Sequence, residues 1–177
     1  MKQLVLALFL VSASLTAHAE TFGDGLAAYS LQDYQRAYEI WRPMAEAGDA
    51  RAQYHLAQLF DYGRGVLADD AKAADWYRRA AEAGYPAAGY HLGAALMAAG
   101  QPEQARPWLE RSAAAGEPRA QYSLAALLMR GGASRPDFPA ALGWLDKAIA
   151  GLPAGPQRKL ALAARAQVRA RLAARTK

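Results

Sequence analysis

Histidine, cysteine and paired carboxylates are the side chains from which metal sites, nucleophile–base dyads and acid–base pairs are built, and this sequence is poor in them. It has no cysteine and 3 histidines. His18 lies in a leader-like N-terminal stretch, which leaves His55 and His91. Zinc sites draw on three or four ligands, and no third ligand accompanies these two. Asp69 and Asp70 could imitate an acid–base pair, but adjacent acids are also what the start of a helix calls for. No Gly-x-Ser-x-Gly, phosphate-binding or dinucleotide-binding pattern occurs. Gly63-Arg-Gly65 reads as a connection between helices. No catalytic residue, cofactor-binding residue or metal ligand is therefore assigned. What does recur is aromatic: Tyr54, Tyr90 and Tyr122, the first two followed directly by histidine. Large side chains of low conformational entropy suit non-covalent recognition.

The recurrence reveals the elements that carry these residues. Arg51-Ala-Gln-Tyr-His-Leu-Ala57, Ala87-Ala-Gly-Tyr-His-Leu-Gly93 and Arg119-Ala-Gln-Tyr-Ser-Leu-Ala125 align, with their tyrosines 36 and 32 residues apart. A second signature follows, Trp76 to Gly84 and Trp108 to Gly116, with Trp41 to Gly48 and Trp144 to Gly151 as looser copies. A fixed period near 35 residues marks a repeat architecture. Apolar residues within each unit recur at three-to-four spacing (Ala52, Leu56, Leu59 and Phe60; then Ala73, Ala74, Trp76, Tyr77, Ala80 and Ala81), which predicts two helices per unit. Gly63 and Gly65 interrupt the first, Asp69 or Asp70 caps the second, and Gly48, Gly84 and Gly116 end helices in the left-handed conformation. Sustained period-two alternation is lacking, so no sheet is predicted. Gly155-Pro156 opens a final helix with a stripe of Leu160, Ala164, Val168 and Leu172. The four tryptophans are expected in the core.

Residues 1–19 have the form of a cleavable signal peptide: Lys2, an apolar run from Leu4 to Leu15, and Ala17-His18-Ala19. The run is shorter than the roughly 20 residues a membrane helix needs. Export to the periplasm is expected, with secretion as the alternative. Without cysteine, stability must come from packing alone. The net charge of +5 is unevenly spread. Glu20 to Asp146 carries 12 Lys/Arg and 16 Asp/Glu, whereas Lys147 to Lys177 carries 8 basic residues and no acid.

The run Ala52-Gln-Tyr-His-Leu-Ala…Tyr62-Gly-Arg-Gly-Val66…Asp69…Ala73-Ala-Asp-Trp76…Ala80-Ala-Glu-Ala-Gly84 closely resembles the Sel-one-like repeat (SLR), a relative of the tetratricopeptide repeat (TPR). The later units depart from it. The second turns through Gly100-Gln-Pro102, and the third replaces the Gly-x-Gly-Val loop with Gly131-Gly-Ala-Ser-Arg-Pro136. The resemblance implies an all-α, right-handed α-solenoid of about four antiparallel helix pairs, in units 22–48, 49–84, 85–116 and 117–152. The repeat domain then spans 20–152, and a basic capping helix covers 153–177. Stacking is what lets such pairs bury a shared core.

In TPR-like solenoids the tyrosine slot and the next border a concave groove. The resemblance thus suggests partner binding by Tyr54, His55, Gln58, Tyr90, His91, Met97, Tyr122 and Met129. Packing and recognition remain equal readings of the tyrosines. The family often has Asn where His55 and His91 stand, and surface polar residues are the default reading of both. The basic tail is a solvated face, or an alternative contact surface through Arg165, Arg169 and Arg171 for an acidic partner or an anionic envelope surface; nucleic acid is not expected as a partner. The function implied is a non-enzymatic scaffold or adaptor for another protein in the cell envelope, with a regulatory or immunity role among those known for exported relatives. An envelope hydrolase of the peptidoglycan or β-lactam type is the competing class. It has been proposed for a cysteine-rich branch, and this chain has no cysteine.

Overall fold

The computed structural model describes residues 20–131 and 135–174. The expected signal peptide, residues 1–19, lies outside the described residues, as does part of the third unit's loop. Among the described residues the secondary structure is helical throughout: α1 (Phe22–Ser30), α2 (Tyr34–Glu46), α3 (Ala50–Tyr62), α4 (Asp70–Glu82), α5 (Pro86–Ala98), α6 (Pro102–Ala114), α7 (Pro118–Arg130), α8 (Phe138–Gly151) and α9 (Pro156–Ala173). Each start is specified locally. Asp33, Asp49, Asp69 and Asp137 accept hydrogen bonds from first-turn backbone N–H groups. Where a side-chain cap is missing, at α5, α6 and α9, proline occupies the first turn and needs no partner for its nitrogen. Of the two adjacent acids, Asp69 is the cap; Asp70 is the first helical residue.

Every helix packs on the next, forming four antiparallel pairs closed by α9. Beyond these neighbours, α5 meets α7 and α7 meets α9. Phe22 reaches His55 and Tyr54 reaches His91, so the odd-numbered helices form one continuous row. Three even-numbered helices repeat a small–large–small pattern toward it: Ala37, Trp41 and Ala45, then Ala73, Tyr77 and Ala81, then Ala105, Leu109 and Ala113; α8 keeps the first two positions as Ala141 and Leu145 but ends the set in Ile149, and all twelve are buried. Alanine lets the helix axes approach, and the larger residue between fills the gap.

That register corrects the expectation for the tryptophans. Trp41 is fully buried, but it shares its slot with Tyr77, Leu109 and Leu145. Trp76, Trp108 and Trp144 stand one residue earlier and are only half-buried. Their outer faces are covered by the basic residue one turn on: Arg79 lies 4.5 Å above Trp76, Arg111 5.6 Å above Trp108 and Lys147 4.3 Å above Trp144. A cation over an indole gains from the ring quadrupole without leaving water. The stripe on α9 is also shifted. Ala161 and Val168 are buried with Ala164 and Leu172 packed beside them, whereas Leu160 is 57% exposed.

Candidate functional site

The repeat places Tyr54, Tyr90 and Tyr122 at equivalent positions on α3, α5 and α7, but their surroundings differ. Tyr54 is drawn into the junction of two units. Its ring packs on Tyr85 and Tyr77, its hydroxyl accepts a hydrogen bond from Gln58 Nε2 at 3.0 Å, and it lies 3.4 Å from His91 Nε2. Burial pushes its phenol up to about 12. Tyr90 has His91 on one side and the Arg119 guanidinium 5.9 Å from its ring centre. Tyr90, Tyr122 and Leu160 together line a cleft of about 190 Å³. Tyr122 also belongs to an adjoining cleft of about 310 Å³ with Met129, Arg130, Ala164 and Gln167. Met97 instead packs against the core formed by Leu109 and Leu124.

The histidines are not surface polar residues. His55 is half-buried with its ring 4.8 Å from Trp41 and 5.4 Å from Phe22. His91 stacks on Tyr77 at 4.8 Å and 10°. Both pairings follow from the repeat, since Trp41 and Tyr77 share one slot. Burial holds both imidazoles below their ordinary pKa, opposed at His55 by Gln58 and at His91 by the Asp61 carboxylate. His55 Nδ1 is buried with no hydrogen-bond partner, so a proton there would have no acceptor.

A pH dependence follows. Each folded pKa lies below the ordinary 6.5, so on acidification the unfolded chain takes up protons that the folded chain refuses. Stability is complete above about pH 6.5 and falls as the pH drops below it, by at most about 1.4 kcal/mol per histidine per pH unit. The Arg51 side chain at Asp49 and the Lys72 backbone N–H at Asp69 hold those carboxylates below 3.8, so they act only at more acid pH. Thermal melting should therefore be lower at about pH 5.5 than at about pH 7.5. The His55→Gln, His91→Gln double variant should flatten that difference; an unchanged slope would show the imidazoles to be solvated.

The basic alternative is partly occupied by its own fold. Arg165 pairs with Asp146 at 3.3 Å and Arg171 lies over Phe138, while Arg169 is exposed. Repeat position, read strictly, brings in a residue that the tyrosine motif did not single out. Asp61 stands where Met97 and Met129 stand in the next two units. It accepts a hydrogen bond from Tyr77 Oη at 3.0 Å. Tyr77 is driven well above the ordinary phenol range, by burial first and then by the Asp61 charge. No cluster of three or more His, Asp or Glu side chains that could hold a metal ion occurs among the described residues.

Stacked helix pairs with one continuous row of odd-numbered helices define an α-solenoid. The chain belongs to the Sel1 repeat family, whose model matches residues 12–49, 50–85, 87–117 and 118–151. Sel1 and TPR-like repeats generally mediate protein–protein interaction. It is similar to a Sel1 repeat protein from Oxalobacter formigenes, with 30% identity and a TM-score of 0.60, over 66% of this chain and 35% of that one. It is also similar to c5321, a protective antigen of uropathogenic Escherichia coli strains displaying an SLR fold, with 32% identity and a TM-score of 0.63, over 72% of this chain and 30% of that one. The chain thus spans about a third of the length of these two structures. YrrB, a TPR protein with an unusual peptide-binding site, shares the fold at 19% identity and a TM-score of 0.57, over 86% of this chain and 84% of that one. No curated protein matches the sequence.

Proposed function

We propose that this protein is a non-enzymatic adaptor that binds a segment of another protein along the row formed by α5, α7 and α9. The observation that carries the reading is Tyr122, half-buried and shared by two adjoining clefts that Tyr90 and Met129 extend. Half-buried aromatic and thioether side chains beside arginines (Arg119, Arg130) make an adaptable, amphipathic surface of the kind partners anchor on. The peptide-binding site of YrrB, on a similar fold, supports the same reading.

Capture from envelope extract, compared between wild type and variants, tests it. Tyr122→Ala and Tyr90→Ala should each weaken capture of the same partner by about 1–3 kcal/mol while melting stays near wild type. Tyr54→Ala should lower melting, because its contacts join two units. Binding that survives both Tyr90→Ala and Tyr122→Ala, but is lost on neutralising Arg169 in a salt-dependent way, would move the contact to the exposed side of α9.

The periplasm is the proposed place of action, on the strength of the leader-like residues 1–19. Mass spectrometry of periplasmic material should then find Glu20 at the N-terminus. A full-length protein confined to the cytosol would overturn the location and leave the surface proposal standing.

A further inference from the structure

A cleft of about 520 Å³ lies between the C-terminal ends of α3 and α5, with the start of α4 as its back wall. Its origin is a packing difference between units. Leu59 and Leu127 are buried at equivalent positions on α3 and α7, whereas α5 carries Ala95 there, and Ala95 is exposed. The wall steps back where the leucine side chain is missing. Asp61 and Asp70 stand at the rim, and Tyr77 and His91 form the polar end of an otherwise alanine-lined recess that includes Ala98. The volume lies within the roughly 300–1,000 Å³ that ligand sites occupy.

The charges in it are uncompensated. Asp49, Asp69, Asp75 and Asp146 each have a basic side chain within ion-pair distance. Among the described residues, Asp61 and Asp70 have none. Asp61 is half-buried, and among the described residues its carboxylate takes a single hydrogen bond, from the Tyr77 hydroxyl to Oδ2. The other carboxylate oxygen accepts none from the described residues. A negative group in a recess of lowered dielectric attracts a cation more strongly than one in open water, and its Tyr77 bond holds it in place for a donor. Alanine walls suit an aliphatic stem, as lysine and arginine offer behind their charged heads.

We propose that this cleft receives one basic side chain, lysine or arginine, of the bound polypeptide, with its head on Asp61 and its stem along Ala95 and Ala98. The proposal rests on the protein-segment reading above, and it deepens that reading by giving the partner a required charge. One wall of the cleft belongs to α5, a helix of the row on which the segment is proposed to lie, so the basic side chain would come from the end of that segment nearest α3.

The test uses defined probes on the mature protein. Acetyl-Gly-Arg-Gly-amide and its citrulline counterpart have the same shape and differ in charge. The NMR signals of the His91 ring are the readout, with His55 as the internal control. The arginine peptide should shift His91 saturably, and the citrulline peptide should bind about tenfold or more weakly. Added salt should weaken the arginine peptide. Asp61→Asn should abolish the difference between the two peptides while the His55 signals and melting persist. Equal binding of both peptides, a full arginine response in the Asp61→Asn protein, or no His91 response up to tens of millimolar peptide each overturns the proposal. The Tyr90 and Tyr122 capture experiment is unaffected by those outcomes, so the cleft can fail while the row stands, and the reverse.

Discussion

Trp41→Ala should cost about 3–5 kcal/mol, the largest single loss expected from any side chain in the protein. The indole is 0% exposed and central to the first unit. Its ring meets Phe22 at 5.9 Å, Tyr29 at 5.8 Å and His55 at 4.8 Å, and its Nε1 donates to the Phe22 carbonyl at 3.3 Å. The seat is specific: a Cβ on Gly25 would fall 2.2 Å from Nε1. Truncation leaves a void bounded by α1, α2 and α3, helices too short to collapse over it without losing their own contacts. In a solenoid, stability is roughly a sum over units and their junctions, so the loss should be local. Amide exchange should rise by roughly a hundredfold or more in α1 to α3, with little change in α7 to α9. Trp76→Ala is the control, since a half-buried ring under Arg79 should cost only about 1–2 kcal/mol. Equal effects of the two variants would show that the deep slot is not what separates these residues.

The second large effect is expected at Gly65, where backbone meets backbone. The residue has φ +70°, and a Cβ there would lie 2.5 Å from the Tyr34 carbonyl carbon and 2.6 Å from the Gln35 nitrogen. The α3–α4 loop nests directly on the start of α2. Arg64 helps to hold it there, lying 5.1–5.5 Å from the rings of Tyr29, Tyr34 and Tyr62 and donating to the Tyr29 hydroxyl. Gly65→Ala combines a left-handed backbone penalty of about 1–2 kcal/mol with a clash that no side-chain rotation relieves, for a total of about 2–4 kcal/mol. Gly100→Ala separates the two contributions, because Gly100 has φ +72° but nothing within 4 Å of its Cβ position. Denaturant midpoints should therefore fall clearly further for Gly65→Ala than for Gly100→Ala. Similar midpoints would mean that the loop can lift away from α2 at little cost.

Helix pairs, their caps and their order were legible in the residues because each depends on neighbours a few positions away. Asp69 followed by an apolar periodicity, Pro156 after Gly155, and glycines at 48, 84 and 116 act through local backbone geometry, which a linear sequence records. The 36- and 32-residue spacing of the tyrosines was enough to recognise a solenoid, because equivalent positions in a repeat must occupy equivalent places. The tertiary structure alone decided how deep each residue sits. One residue of register on an α-helix turns a side chain by about a quarter-turn, which separates the enclosed Trp41 from the half-covered Trp76, and the buried Ala161 from the exposed Leu160. It also distinguished tyrosines that the motif renders identical. Tyr54 meets Tyr77 of α4, His91 of α5 and Tyr85 at the connection between them, while Tyr122 meets α9 across an open cleft. Histidine burial and the Asp61 recess have the same origin. Both depend on what the adjacent unit places opposite, Trp41 and Tyr77 in one case and Ala95 in place of leucine in the other; the repeat records which residues are equivalent, but only the packing of one unit on the next decides which of them meet.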